Sequence, residues 1–499
     1  MKTPSGICLC LTGATLEEDL AFVARYRRHI DLLELRADFL RPEEAAAAAA
    51  LPGKVDLPVI LTVRRQREGG RFAGDERERI ALLNSLSNGG FAFVDLEEDL
   101  DAPSLDRQLA EKKVGIIRSF HDRNGVPRDL LERLGRLARG PTEIPKAAVT
   151  PRGVADLLRV LETFQGFPQA RKVLLGMGDY GFPTRVLAPK LGTLFCYSSP
   201  PGESAAPGQV DPQTLDELYR YHGVGGETEV YGVMGNPVMH SLSPRIHNAG
   251  FAALKRNAVY LPFLVDDLEP FLRVADLLGI RGLSVTIPHK ERVLRVLGKK
   301  DPSVTATGAC NTLHRGPSGA WDGTNTDAAG FLAPLVEVFG GEIPRGLHAT
   351  VIGAGGASRA IVHALVGRGA RVLVLNRTAE RARQLAAAFN VEAAPLDESG
   401  LGLMSGFSDL IVQATNVGMS PHPEADPLPG YHFTGHEVAY DLVYVPETTV
   451  FLKRALSAGC RVIRGRQMLL AQAWEQFRIF TGSEYPSPAR RELEQSELD

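Results

Sequence analysis

The chain has few cysteines for its 499 residues, and none of the five (Cys8, Cys10, Cys196, Cys310, Cys460) falls in a C-x-x-C pair. An odd, scattered set predicts reduced thiols in a cytoplasmic protein rather than a disulfide framework. With no Cys/His cluster at metal-ligand spacing, no metal site is expected. No apolar run approaches the roughly 18 residues that a membrane span needs. Charge of neither sign dominates: 56 Lys and Arg stand against 59 Asp and Glu, a net of −3. That balance offers no basic patch for nucleic acid and no charged interaction tail. The start, MKTPSGICLCLTG, lacks the layout of a signal peptide and the Arg- and Ser-rich spread of a transit peptide. Small molecules, not nucleic acid or membranes, are the expected partners, and the oligomeric state is left open.

What is present is ordinary for a globular enzyme, with 44% hydrophobic and 23% charged residues. The length exceeds what one hydrophobic core supports, so several domains are expected. Over the first part, apolar strands such as GICLCLTG, IDLLELRA, PVILTVR and FAFVDLEE alternate with amphipathic helical patterns. KVGIIRSFHD, EIPKAAVT, KVLLGMGD and TLFCYSS continue the series. A doubly wound sheet fits the alternation, but the count of eight strands favours a (β/α)8 barrel. Glu34, Arg36, Arg64, His121, Lys146 and Arg185 then fall at or just after the ends of different strands. In a barrel those ends converge on one mouth, where active sites sit. Lys146 is the sharpest case, because a lysine rarely enters a buried strand unless it is paired or has lost its charge. By itself it also reads as a surface lysine at a strand edge, and His121 as a satisfied loop histidine.

The segment APGQVDPQTLDELYRYHGVGGETEV closes the first domain, taken as residues 1–222, and a second α/β pattern starts at EVYGVMGNPV. Residues 228–331, completed by 454–482, are expected to form a substrate-binding lobe, and 332–453 a Rossmann-type dinucleotide-binding domain. The whole is thus an α/β protein, an N-terminal (β/α)8 barrel followed by a two-lobed α/β half. HATVIGAGGASRA gives a strand, a tight turn over Gly353, Ala354, Gly355, Gly356 and Ala357, and a helix. Glycines there let the backbone approach a pyrophosphate, which the helix N-terminus stabilises. Ser358 stands where the fingerprint has its third glycine, and a turn made for packing alone is the competing reading. The next strand, RVLVLNRT, ends in Asn376, Arg377 and Thr378 instead of the carboxylate that holds the ribose hydroxyls of NAD. An arginine without a neighbouring acid suits a 2′-phosphate, so NADP(H) is the expected cofactor. Thr415 and Asn416, after DLIVQA, are placed beside the nicotinamide.

These stretches carry two resemblances. From YGVMGNPVMHSLSPRIHNAGF through GLSVTIPHKE, GACNTL, GTNTDAAGF, ATNVGM and RGRQMLLAQAWEQF, residues 231–477 resemble shikimate dehydrogenase. ELRADF, TVRRQREGG, SFHD, PKAAVTP and APGQ, over about 3–215, resemble type I 3-dehydroquinate dehydratase. The chain is therefore similar to the fused dehydratase–dehydrogenase of the shikimate pathway, which makes shikimate on the way to chorismate and aromatic amino acids.

The resemblance implies that Lys146 forms an imine with the substrate ketone. His121 is then the general acid/base and Glu68 its orienting partner. Glu34, Arg36, Arg64, Arg185, Ser204 and Gln209 would hold the substrate. Ala205 stands where a substrate-contacting serine is expected, so the closing loop is shifted and Ser204 is its nearest candidate. In the second half the resemblance makes Lys290 and Asp327 the catalytic pair. Ser241, Ser243, Thr286, Asn311, Tyr444 and Gln472 become substrate contacts, and Gly465 a nicotinamide contact. Ser241, Ser243 and Asp327 also read as helix caps, and Lys290 as a surface lysine of a first turn. Ser284, where many members have Asn, is expected to keep a hydrogen bond. Two rivals are an NAD-dependent enzyme of quinate, against which Arg377 speaks, and a non-catalytic regulator related to these enzymes.

Overall fold

The computed structural model describes residues 5–137, 139–140, 143–167, 169, 171–203 and 205–496. Eight strands open the chain: β1 (Gly6–Leu11), β2 (Leu32–Arg36), β3 (Val59–Thr62), β4 (Phe93–Glu97), β5 (Gly115–Asp122), β6 (Ile144–Val149), β7 (Val173–Gly176) and β8 (Phe195–Ser198). Parallel ladders join each neighbour from β1 to β7, and β8 pairs with β1. Beside the remaining junction, Leu194 N donates to Lys172 O at 2.9 Å. This is the expected barrel, and its strands read as continuous apolar runs because helices cover the outside while side chains fill the inside.

Local chemistry sets the crossovers. The helix Glu76–Leu86 starts at Asp75, whose carboxylate accepts from Glu78 N while Glu78 accepts from Asp75 N, a reciprocal cap. The Ala-rich stretch is wound as 3-10 over Pro42–Lys54, with Pro52 inside it and Ala48 and Leu51 buried. Near the end of the chain lies the helix Ser487–Gln495. Ala489 and Leu493 are buried there, and Arg466 donates to the Leu493 and Ser496 carbonyls.

The chain parts into two compact units, 1–232 with 237–280 and 233–236 with 281–499. The first unit holds the barrel and also β9 as far as Gly232 (the strand spans Glu229–Gly235), the helix Ser243–Ala253, β10 (Ala258–Leu264) and the helix Leu268–Leu278. Leu268–Leu278 packs on the barrel helix Val154–Gly166. Asp266 Oδ1 accepts from Val154 N at 3.0 Å, capping that helix, and Arg273 pairs with Glu162 at 2.7 Å. In the second unit β11 from Arg281 (the strand spans Ile280–Val285), β12 (Leu297–Lys300), β13 (Thr312–Arg315) and β14 (Trp321–Thr324) belong to one sheet, ordered β11-β13-β14-β12.

The second unit's other sheet comprises β15 (His348–Ile352), β16 (Arg371–Asn376), β17 (Glu392–Pro395), β18 (Leu410–Gln413), β19 (Val438–Asp441) and β20 (Arg461–Ile463). All its ladders are parallel, in the order β17-β16-β15-β18-β19-β20. Chain order reverses between β15 and β18, the switch point at which such sheets take a dinucleotide. No helix among the described residues is long and apolar enough to cross a membrane.

Candidate active sites

The barrel interior brings the predicted residues to one cavity, lined by Glu34, Arg36, Arg64, Glu68, His121, Lys146, Arg185 and Gln209. Lys146 is 3% exposed. Its Nζ donates to Asp95 Oδ2 at 2.7 Å, stands 3.8 Å from Glu34 Oε1 and lies 4.1 Å from the centre of the Tyr197 ring. It is thus a paired interior lysine, not one at a strand edge. Asp95 Oδ1 also accepts from Ser119 Oγ at 2.5 Å and pairs with Arg64 at 2.8 Å. Burial alone would raise the Asp95 carboxyl, but Arg64, then Lys146, pull it well below the usual carboxylate range. Removing one partner of a buried pair costs about 3–5 kcal/mol, so Asp95 ties the lysine and Arg64 into one charge network.

Arg64 is held further by Glu97 Oε1 at 2.9 Å, and Arg79, from the helix Glu76–Leu86, grips the other Glu97 oxygen at 2.7 Å. His121, at the end of β5, has its Nδ1 3.3 Å from Glu68 Oε2. Burial drives the imidazole well below its ordinary value, and the Arg64 and Lys146 charges push the same way. A neutral ring is the form that accepts a proton. The kcat/KM of the barrel's reaction is therefore expected to stay level as pH falls through the ordinary histidine value near 6.5. An acid limb centred at that ordinary value in the pH–rate profile would remove His121 as the base.

The remaining predicted contacts have mixed surroundings. Glu34 accepts from Thr62 Oγ1 at 2.9 Å and Cys10 Sγ at 3.2 Å. Arg36 is taken up by a two-pronged pair with Asp38 at 2.9 and 2.8 Å. Arg185 donates to the carbonyls of Tyr197 and Pro207, at 3.2 and 3.3 Å, and its Nε is buried with no partner among the described residues. Gln209 Oε1 accepts from the amides of Ala205 and Ala206, so it fastens the closing loop by its backbone. Ser204 lies outside the described residues. Sequence reading missed Asp95, Tyr197 and Arg123. Asp95 sits in FVDLE with the inward register of a barrel strand, a signal that alternation along β4 carries.

In the second unit, Lys290 Nζ donates to Asp327 Oδ2 at 2.5 Å. Asn311 Nδ2 donates to the other Asp327 oxygen at 2.7 Å, and Asn311 Oδ1 accepts from Thr326 N at 2.9 Å. Thr286 N donates to Met234 O at 3.0 Å and Gln472 Nε2 to Leu469 O at 2.7 Å. Ser284 keeps a hydrogen bond, as expected, but gives it to Gln476 Oε1 at 2.7 Å. Gln476 Nε2 in turn reaches Asn311 O at 3.2 Å and Thr312 Oγ1 at 3.1 Å. Gln476, a second inward glutamine one turn beyond Gln472, was not singled out from the sequence. Burial raises the Tyr444 phenol. A Cβ on Gly465 would come within 2.5 Å of the Leu442 and Val443 carbonyls, so only glycine fits. Ser241 and Ser243 belong to the first unit, at the start of the helix Ser243–Ala253, where Ser241 Oγ accepts from Ser243 N at 3.2 Å.

After β15 the backbone turns at Gly353 (φ +109°), and the helix Gly356–Val366 follows. Ala354 and Gly355 complete that turn, and Ala357 falls in the helix's first turn. Ser358, in the third-glycine position, is buried and accepts from Gly355 N at 3.3 Å, so it closes the turn that a glycine would leave open. A Cβ on Gly353 would meet Thr415 Cγ2 at 3.0 Å, which brings the β15 turn against the segment Thr415–Asn416 after β18. At the end of β16, Asn376 Nδ2 donates to Thr378 O at 2.9 Å. Arg377 is exposed with no side-chain partner among the described residues. No group of three or more His, Cys, Asp or Glu able to hold a metal occurs among the described residues.

A parallel barrel with a polar mouth, joined in one chain to a dinucleotide-type sheet, defines a two-site enzyme. Residues 7–225 match type I 3-dehydroquinase, 233–313 the shikimate dehydrogenase substrate binding domain and 342–420 shikimate/quinate 5-dehydrogenase. The chain is 32% identical to the chloroplastic bifunctional 3-dehydroquinate dehydratase/shikimate dehydrogenase of Arabidopsis thaliana, over 99% of this chain and 84% of the relative. It is 43% identical to the shikimate dehydrogenase (NADP(+)) of Moorella thermoacetica, over 53% of this chain and 91% of the relative. The crystal structure of shikimate 5-dehydrogenase from Thermus thermophilus, in complex with NADP(H) and shikimate, is 37% identical with a TM-score of 0.48, over 53% of this chain and 98% of that one. The chain belongs to the family of bifunctional 3-dehydroquinate dehydratase/shikimate dehydrogenases.

Proposed function

We propose that the chain performs two consecutive steps of the shikimate pathway. It dehydrates 3-dehydroquinate to 3-dehydroshikimate in a domain of residues 1–222, then reduces the product to shikimate. The reduction is assigned to the lobe 228–331, completed by 454–482, together with the NADP-binding domain 332–453. The observation that carries the reading is the pairing of a buried Lys146 with a His121–Glu68 couple in one barrel cavity.

Lys146 Nζ adds to the substrate ketone and expels water, leaving a protonated imine. His121 removes the proton from the adjacent carbon, and the electron pair flows to the imine nitrogen as an enamine. The enamine pushes out the β-hydroxyl, which takes the proton from His121 and leaves as water, and hydrolysis frees the lysine. Arg185, Glu34, Arg36, Arg64 and Gln209 orient the substrate's carboxylate and hydroxyls.

In the second site NADPH, when bound, supplies the hydride. Lys290 gives a proton to the oxygen that becomes the new hydroxyl, and Asp327, fixed by Asn311, holds the ammonium in place. Ser241, Ser243, Thr286, Gln472 and Tyr444 are assigned to the substrate and Gly465 to the nicotinamide. The unpartnered Arg377, with Asn376 and Thr378, fits the 2′-phosphate. Arg377→Ala is expected to raise the KM for NADPH about tenfold or more while moving that for NADH by about twofold or less. Equal losses in initial-rate assays with the two cofactors would return the NAD-dependent quinate enzyme to first place. We place the enzyme in the cytoplasm, on the strength of five cysteines that are all buried and free. Its partners are the small-molecule substrates, with neither nucleic acid nor membrane.

One coupled assay tests the whole reading. Full-length protein receives 3-dehydroquinate with NADPH, and nicotinamide oxidation and the enone of 3-dehydroshikimate are followed together. NADPH consumption starting from 3-dehydroquinate is the expected result. Enone accumulation alone would remove the dehydrogenase assignment, and silence in both signals would favour the non-catalytic regulator.

A further inference from the structure

The cations of the barrel cavity differ in how fully they are engaged. Arg36 gives its Nε and Nη2 to Asp38, Arg64 pairs with Asp95 and Glu97, and Lys146 pairs with Asp95. Arg185 gives two donors to backbone carbonyls. Arg123 also lines the cavity, yet it is exposed and has neither a carboxylate nor a hydrogen-bond partner among the described residues. It nevertheless has a seat. A Cβ on Gly69 would fall 2.8 Å from Arg123 Nη1 and 3.4 Å from its Cδ and Cζ, so the bare backbone of Gly69 makes room for the guanidinium. Gly69 itself sits at φ +83°, beside Glu68.

The backbone beneath Arg123 is tied down on both sides. Asp122 Oδ1 accepts from the amides of Asn124 and Gly125, at 2.9 and 3.1 Å. Thr150 N donates to Gly125 O at 3.0 Å, and Arg152 Nε to Asn124 O at 2.6 Å. A fixed turn thus carries an unengaged guanidinium to the cavity, two residues beyond His121. Guanidinium is weakly hydrated and its fork matches a carboxylate, so it is suited to catch an anionic ligand that must shed water on entry. Cations lining a cleft also raise the encounter rate of anions, in a way that salt suppresses.

We propose that Arg123 is a further substrate-binding residue of the barrel, receiving the substrate's carboxylate at the cavity alongside Arg185. The proposal rests on the dehydratase reading and adds a residue to its site.

The test is steady-state dehydration of 3-dehydroquinate by the full chain, with Arg123→Gln and Arg123→Lys compared with wild type at low and high salt. Arg123→Gln is expected to raise KM about tenfold, to move kcat by about twofold or less, and to flatten the salt dependence of kcat/KM. Arg123→Lys, keeping the charge but not the fork, restores the salt dependence and part of the KM. Shikimate oxidation with NADP+ in the same preparations reports that the variants are folded. The proposal is overturned if Arg123→Gln matches wild type in both KM and salt dependence, or if it lowers kcat at unchanged KM. A wild-type chain that dehydrates nothing overturns the dehydratase reading itself, an outcome read before either variant is made.

Discussion

Lys146→Ala is expected to cost dehydration about 10⁴-fold or more, the scale of losing a positioned covalent partner. NADPH-dependent reduction of 3-dehydroshikimate by the same protein should stand unchanged. The variant should fold, because Asp95 keeps Arg64 at 2.8 Å and Ser119 at 2.5 Å when the ammonium is gone. Asp95→Ala is the harsher change, since it strips both Lys146 and Arg64 of the carboxylate they share. Borohydride added during turnover should reduce the imine and fix the substrate skeleton to one peptide. Mass spectrometry is expected to find that adduct at Lys146, and an adduct on any other lysine would falsify the assignment.

Lys290→Ala carries the second large effect, a loss of about 10²- to 10⁴-fold in shikimate formation, the usual yield of a positioned acid or base. Dehydration should be untouched. Asp327→Asn refines the reading: the side chain can still accept from Asn311, but it no longer attracts the ammonium. Its kcat should fall, but less than that of Lys290→Ala. Loss of both activities in Lys290→Ala would mean that the variant had unfolded or that the two sites depend on each other. Undiminished reduction would leave the pair with a structural role only.

The barrel was legible because short apolar strands recur between amphipathic helices, and the count of eight such units favoured a barrel over a doubly wound sheet. The Rossmann-type character of the second unit's parallel sheet followed from one glycine turn and the strands around it, while its strand order was not read. The roles of Lys146, His121 and Glu68 could be read because PKAAVTP, SFHD and TVRRQREGG carry a resemblance; Lys146 lies inside β6, His121 near the end of β5 and Glu68 in the turn after β3. Asp95, in the middle of β4, was not read, because its inward register gains meaning only when Arg64 and Lys146 meet it from elsewhere in the barrel. Arg36 shows a partner that went unread: Asp38, two residues on, accepts from its Nε and Nη2. Gln476 was hidden by its neighbour Gln472, because spacing along a helix does not say which of two glutamines reaches Ser284 and Asn311.

The helix cap from Asp266 to Val154 bears on how separable the two enzymes are. Asp266 and the helix Leu268–Leu278 lie within the stretch that matches the dehydrogenase family, yet they belong to the same compact unit as the barrel. A chain severed in the connector near residue 225 would leave the amide of Val154 without its acceptor and Glu162 without Arg273. It would also bare the face of Val154–Gly166 on which Leu268–Leu278 rests. Catalytic independence is therefore compatible with structural dependence: in this chain the lyase leans on a buttress encoded in the reductase segment, and dividing the two would require re-engineering that joint rather than cutting a tether.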